Sequence, residues 1–201
     1  MATIFSPIDL HVPPNFIVDV HRVLTGEEFE QLCQDNRETR MELTAKGELI
    51  LMPPTGSKTG LRNAKLTRHF GNWAEPNGTG VAFDSSSGFV LPNGARRSPD
   101  VSWVKRERWD ALTEEEQDGF APLCPDFVIE LRSRSDNLPP LEDKMLEYIA
   151  NGAQMAWLID PLRKRVYIYR PNRKAEILED PETVQGDPEL PGFKLDVREL
   201  W

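Results

Sequence analysis

The chain offers little from which to build a cysteine or histidine site. Its only cysteines, Cys33 and Cys124, lie far apart and outside any ligand-like spacing. Two isolated thiols in a chain of this length point to reduced cysteines in a cytosolic protein and away from a disulfide framework. The three histidines, His11, His21 and His69, form no pair at metal-ligand spacing, which argues against zinc. No apolar run approaches the ~20 residues that cross a bilayer. Residues 1–15 lack a basic segment followed by an apolar core, so no secretory signal is expected. These absences describe a soluble cytoplasmic protein with no membrane partner. Positive charge is also short, with 24 Lys+Arg against 33 Asp+Glu and a net charge of -9. Long-range repulsion keeps such a chain from coating polyanions. Contact with nucleic acid must come from a local basic surface or a bound cation.

What is present suits one sizeable domain spanning residues 1–201, with residues 1–24 as an extended N-terminal lead-in marked by Pro7, Pro13 and Pro14. Thr25 and Glu28 have the form of a capping box and open a short helix to about Gln34. Strand-like runs at 39–44 and 48–52 flank Lys46-Gly47, the signal of a hairpin. Ser57 can cap a helix to about Glu75, stopped by Asn77-Gly78. Short strands are predicted at 80–84, 88–91 and 100–104, and an irregular or helical insertion at 106–122. The clearest strand covers 126–132. A helix from Pro140 to Ala150 and strands at 154–160, 164–170 and 174–179 complete the core. The pattern predicts an α/β (α+β) fold, a strand-rich sheet flanked by helices with an N-terminal β-hairpin extension. The segment 126–160 reads as a crossover joining parallel strands.

The chemistry concentrates at Ser98-Pro99-Asp100 and Pro125-Asp126-Phe127-Val128-Ile129-Glu130-Leu131-Arg132. Strand alternation puts Phe127, Ile129 and Leu131 on one apolar face and Val128, Glu130 and Arg132 on the other. An acid in so hydrophobic a strand costs desolvation energy unless it meets a cation or metal. With Asp100 on a neighbouring strand, two carboxylates can converge on one locus. That locus suits Mg2+ or Mn2+, which prefer oxygen ligands. The same residues also suit a structural Glu130–Arg132 ion pair, with Asp100 capping the turn after Pro99.

The order of motifs resembles the Uma-two family of restriction-endonuclease-like proteins. The resemblance runs through Ser98-Pro99-Asp100-Val101-Ser102-Trp103, Pro125 to Asp136, Lys144-Met145 with Tyr148, Gly152, and Trp157-Leu158-Ile159-Asp160-Pro161. It also includes Gly47-Glu48-Leu49-Ile50 and Pro54-Thr55-Gly56, and so spans roughly residues 27–199. The family is assigned to the PD-(D/E)XK nuclease superfamily. The resemblance therefore implies a restriction-endonuclease-like core, with a mixed central sheet flanked by helices. It also implies a metal held by Asp100, Glu130 and the Leu131 carbonyl, phosphodiester hydrolysis in DNA, and Glu48 as a more distant acid. The chain departs from the superfamily at Arg132, where lysine is usual. Arginine can stabilise phosphate charge but cannot act as a base. Spacing alone favours an ordinary surface lysine at Lys144, on the border of the buried stripe of its helix; the resemblance makes it the candidate replacement.

A local surface for DNA could come from Lys58, Arg62, Lys65 and His69, which follow helical spacing, and from Arg96 and Arg97 beside the Asp100 motif. A solvated helix face and internal ion pairs are the plainer explanations of these residues. Two readings stand: a magnesium-dependent endonuclease that could work as a homodimer, or a catalytically impaired nuclease-fold module that binds nucleic acid or a protein partner. A glycosidase pair is a third, with only scattered tryptophans in its favour.

Overall fold

The computed structural model describes residues 17–18 and 24–201. The expected lead-in therefore falls almost wholly outside the described residues, as do His11 and His21. In chain order the elements are β1 (Ile17–Val18), α1 (Gly26–Asp35), β2 (Arg40–Leu43), β3 (Leu49–Met52), α2 (Ser57–Asn77) and β4 (Gly80–Asp84). Then come β5 (Phe89–Val90), β6 (Arg96–Arg97), β7 (Val101–Lys105), α3 (Arg106–Trp109), α4 (Glu114–Asp118) and β8 (Phe127–Leu131). The chain continues through α5 (Leu138–Ala150), β9 (Met155–Asp160), β10 (Arg165–Tyr169) and β11 (Glu176–Glu179). It finishes with β12 (Thr183–Gln185), β13 (Lys194–Asp196) and a 3-10 turn at Val197–Leu200.

Local chemistry accounts for the element ends. Thr25 and Glu28 exchange both bonds of a capping box, at 3.2 and 3.0 Å, and start α1. Gly56, with no side-chain cap, is the residue before α2, in place of the expected Ser57 cap. Gly78 takes the left-handed conformation (φ 67°) that ends α2. The acidic insertion contains α3 and α4, the latter opened by a second capping box at Thr113 and Glu116.

The central sheet has the order β11-β10-β9-β8-β7-β4 and is antiparallel except at β8–β9, which run parallel around the α5 crossover. Helices cover both of its faces. Leu66 and Phe70 of α2 pack with Phe127, Ile129, Leu131 and Trp157 on one face. Met145 and Tyr148 of α5 pack with Val128, Ala156 and Leu158 on the other. Glu130 therefore lies on a face that is buried as deeply as its apolar counterpart.

Two strands and a 3-10 turn beyond residue 180 extend the expected core. Val184, Leu190, Phe193, Leu195, Val197 and Leu200 join the α2 face. Their strands are three residues long and broken by Gly186, Pro188, Pro191 and Gly192, so no periodicity marks them. Phe193 stands 4.9 Å from Phe70 and 5.6 Å from Trp157, ring centre to ring centre.

The hairpin β2–β3 turns at Gly47 (φ 82°) and belongs to a second sheet, β1-β3-β2-β6-β5. Met41 and Leu43 of β2 pack on Phe29 of α1. Alternation sends the intervening Glu42 to the opposite face, toward α5.

This packing makes the C-terminal segment structural. Phe193→Ala should cost about 3–5 kcal/mol in urea denaturation. Ile177→Ala, at a half-exposed position, should stay within about 0.5 kcal/mol. Equal costs for the two would contradict the assignment of the core.

Candidate active site

Helix α5 presents Lys144, Glu147 and Tyr148 at i, i+3, i+4 spacing, on one side of the helix. The Lys144 Nζ lies 2.7 Å from Glu130 Oε1 and 2.9 Å from Glu42 Oε1. The Tyr148 hydroxyl donates to Glu130 Oε1 at 3.1 Å. Arg97 spans Glu42 and Glu147, with Nη1 donating at 3.1 Å and Nε at 2.6 Å. The Ser98 N–H also donates to Glu42, at 2.8 Å. Two residues on, Asp100 accepts the Leu131 N–H at 2.8 Å on one oxygen and the Asn63 amide N–H at 2.8 Å on the other. Glu42 is 2 % exposed and Glu130 6 %. Strands from both sheets and helices α2 and α5 thus meet in one buried polar cluster.

Its electrostatics are unbalanced. Burial pushes the Glu130 carboxyl up to about 7; Lys144 opposes the shift, while Asp100 and Glu42 add to it by repulsion. Burial also raises Asp100, against the hydrogen bonds from Asn63 and Leu131. At Glu42 burial acts upward too, but Lys144, Arg97 and the Ser98 amide outweigh it and hold the group below its ordinary value. Lys144 is held above the ordinary lysine range, because Glu130 and Glu42 overcome its desolvation. The four acids Glu42, Asp100, Glu130 and Glu147 share the cations Lys144 and Arg97, and Arg40 adds a weaker positive influence at Asp100.

Residues 26–198 match the family described as "Uma2: Putative restriction endonuclease". The chain belongs to the Uma2 family. Its fold is similar to the crystal structure of a "putative nuclease belonging to DUF820" from Anabaena variabilis ATCC 29413. The TM-score is 0.69 at 24 % identity, covering 81 % of this chain and 90 % of that one. A cryo-electron-microscopy structure of the DrdV–DNA complex gives a TM-score of 0.36 at 13 % identity, over 58 % of this chain and 10 % of that one. Among curated proteins no match is found.

The Uma2 chain brings together some of the residues singled out in its sequence and scatters others. Asp100, Glu130, Lys144 and the Leu131 backbone converge. Arg132 does not join them. Its Nη1 lies 2.7 Å from the fully buried Asp160, and its Nε and Nη2 donate to the Asp136 carbonyl at 3.2 Å. Glu48 stays at the hairpin turn, where its carboxylate accepts from Thr44 Oγ1 at 3.1 Å. Arg97 is buried inside the cluster, and Arg96 turns toward α1, 3.4 Å from Glu30 and over the Phe29 ring. Lys65 and His69 both face Glu199, at 3.7 and 3.4 Å. Lys58 and Arg62 form no ion pair with a described residue.

Glu42, Asn63, Glu147 and Tyr148 complete the cluster and were not among the candidates. For Glu42 one local signal existed, an acid between Met41 and Leu43 on a strand. Such a pattern usually marks a solvent-facing position. The packing of Lys144 from α5, together with Arg97 and Ser98, encloses it instead.

The donors present fit a hard divalent cation. Asp100 and Glu130 supply carboxylate oxygens. In an extended strand the N–H and C=O of one residue point the same way, so the Leu131 carbonyl shares the edge on which its N–H meets Asp100. Among the described residues no group of three or more His, Cys, Asp or Glu could hold a metal. A cation here would rely on two carboxylates, backbone and amide oxygens, and water, as Mg2+ does.

The raised Glu130 pKa carries a pH signature. Between about 4.5 and about 7 the folded state keeps a proton that the unfolded state has lost, so stability falls as pH rises through that window. In metal-free buffer, wild-type stability measured against Glu130→Gln should fall by up to about 3 kcal/mol from pH 4 to pH 8. A pH-independent difference would show that Glu130 is not held protonated.

Proposed function

We propose that this Uma2 protein is a magnesium- or manganese-dependent endonuclease acting on DNA, with Asp100, Glu130 and Lys144 at its centre. One observation carries the reading. The Lys144 ammonium lies 2.7 Å from Glu130, the acid that with Asp100 forms an all-oxygen cation locus. The cation would be held by Asp100, Glu130 and the Leu131 carbonyl. When bound it supplies Lewis acidity at a phosphoryl oxygen and acidifies a coordinated water.

The chain's own residues do the rest. Lys144 is clamped between two carboxylates and is therefore an ammonium, a hydrogen-bond donor and fixed positive charge. From that position it orients the attacking water and stabilises negative charge developing at phosphorus. Glu42 and Tyr148 are positioning residues; Glu42 anchors Lys144 and Tyr148 anchors Glu130. Arg97 keeps Glu42 ionised and in register. Arg132 takes no part in this proposal, because its guanidinium is committed to Asp160 and Asp136. Lys58 and Arg62 on α2 would meet the phosphate backbone. Glu48, Lys65, Arg96 and Arg97 are not assigned to substrate contact. Cutting both strands at one site would call for two copies, a homodimer whose formation size-exclusion chromatography with bound DNA can read.

Purified protein should cleave DNA with Mg2+ or Mn2+ and lose that activity in EDTA. Asp100→Ala, Glu130→Ala and Lys144→Ala should each lower the rate at least about a hundredfold. Cleavage that persists in all three variants would remove the proposed centre. Salt-sensitive DNA binding with no cleavage under any cation would instead favour the impaired-nuclease reading.

A further inference from the structure

We infer that Asn63 of α2 contributes an oxygen to the divalent-cation site, an assignment that rests on the nuclease reading above. The Asn63 Nδ2 donates to Asp100 Oδ1 at 2.8 Å. This bond fixes which way the amide faces, since turning it over would set two acceptor oxygens against each other. In that orientation Asn63 Oδ1 is buried without a hydrogen-bond partner among the described residues.

Six buried side-chain atoms share that condition, and their chemistry separates them. Arg96 Nε and the Nε1 atoms of Trp103, Trp157 and Trp201 are donors, and Ser102 Oγ can donate or accept. Asn63 Oδ1 alone among the six can only accept. What satisfies it must be a donor or a cation. The atom is one carbon away from a nitrogen bonded to Asp100, so it stands beside the carboxylate expected to hold the cation.

The donor type also suits the surroundings. Asp100 and Glu130 already repel one another across the locus. A further carboxylate would add to that repulsion, whereas an amide oxygen is a hard, neutral ligand of the kind Ca2+ and Mg2+ sites use. One amide thus does two things. Its nitrogen holds Asp100 in place, and its oxygen faces the cation directly or through one of the cation's waters.

The test is Mn2+ binding to the full chain, measured by calorimetry and by the electron paramagnetic resonance signal of free Mn2+. Asn63→Ala should weaken binding at least about tenfold. Asn63→Asp keeps the oxygen and loses the donor. It should bind Mn2+ at wild-type strength or tighter, melt lower than wild type in metal-free buffer, and gain more melting temperature from Mn2+ than wild type does. Unchanged affinity in Asn63→Ala would overturn the inference, and so would Asn63→Asp binding as weakly as the alanine variant. Should Asn63→Ala fail to fold, the Asn63→Asp comparison decides alone. Absence of Mn2+ binding by the wild type would overturn the nuclease reading itself, and this inference with it.

Discussion

The centre depends on one ammonium group shared by two buried carboxylates. Lys144 joins Glu42 of the hairpin sheet to Glu130 of the central sheet, and both acids lie almost out of contact with water. Neither acid could remain ionised there without a cation, because desolvating a lone charge costs several kcal/mol. The pairing is also incomplete. Glu42 receives Arg97 and a backbone N–H in addition, so it takes the larger share of stabilisation and leaves Glu130 partly uncompensated. Two acids bonded to one lysine thus end up on opposite sides of their ordinary pKa. The difference comes from their other neighbours.

Much of the fold could be read from the chain because its strands and helices carry their own boundaries. The hairpin around Gly47, the stop at Gly78 and the crossover into α5 are local events with local signals. The C-terminal strands were harder, since three residues are too few to show a period. At the site the division is similar. Asp100 and Glu130 stood out as acids among apolar strand residues. Glu42 did not, because the lysine it meets lies 102 residues away on α5. Arg97 was legible only as a basic residue beside the Asp100 motif, since its partners Glu42 and Glu147 are 55 and 50 residues distant. Glu48, on the same hairpin as Glu42, was the acid named from the family resemblance, and its carboxylate bonds Thr44 at the turn.

The place of the cation follows from the same geometry. Arg132 continues the strand that carries Glu130, but at that point its neighbour across the parallel ladder is Asp160, which is fully buried and takes the guanidinium. In the proposed centre a helix-borne lysine would serve where the superfamily usually carries a strand-borne one. Lys144 reaches the acid from above the sheet, along with Tyr148 one turn later. This couples the position of α5 to the chemistry of β8, so a shift of the helix would move the ammonium and the tyrosine hydroxyl together.

Glu42 and Lys144 are separated by 102 residues along the chain. No short segment contains the centre, and no early local structure can form it. The acids and their lysine meet only when both sheets and α5 have docked, which places the contact among the late, long-range events of folding. A chain still emerging or half collapsed carries hydrated carboxylates and a mobile lysine, with nothing to align them. If the centre cuts as proposed, hydrolytic capacity is withheld from incompletely folded molecules by the topology alone, without any inhibitor.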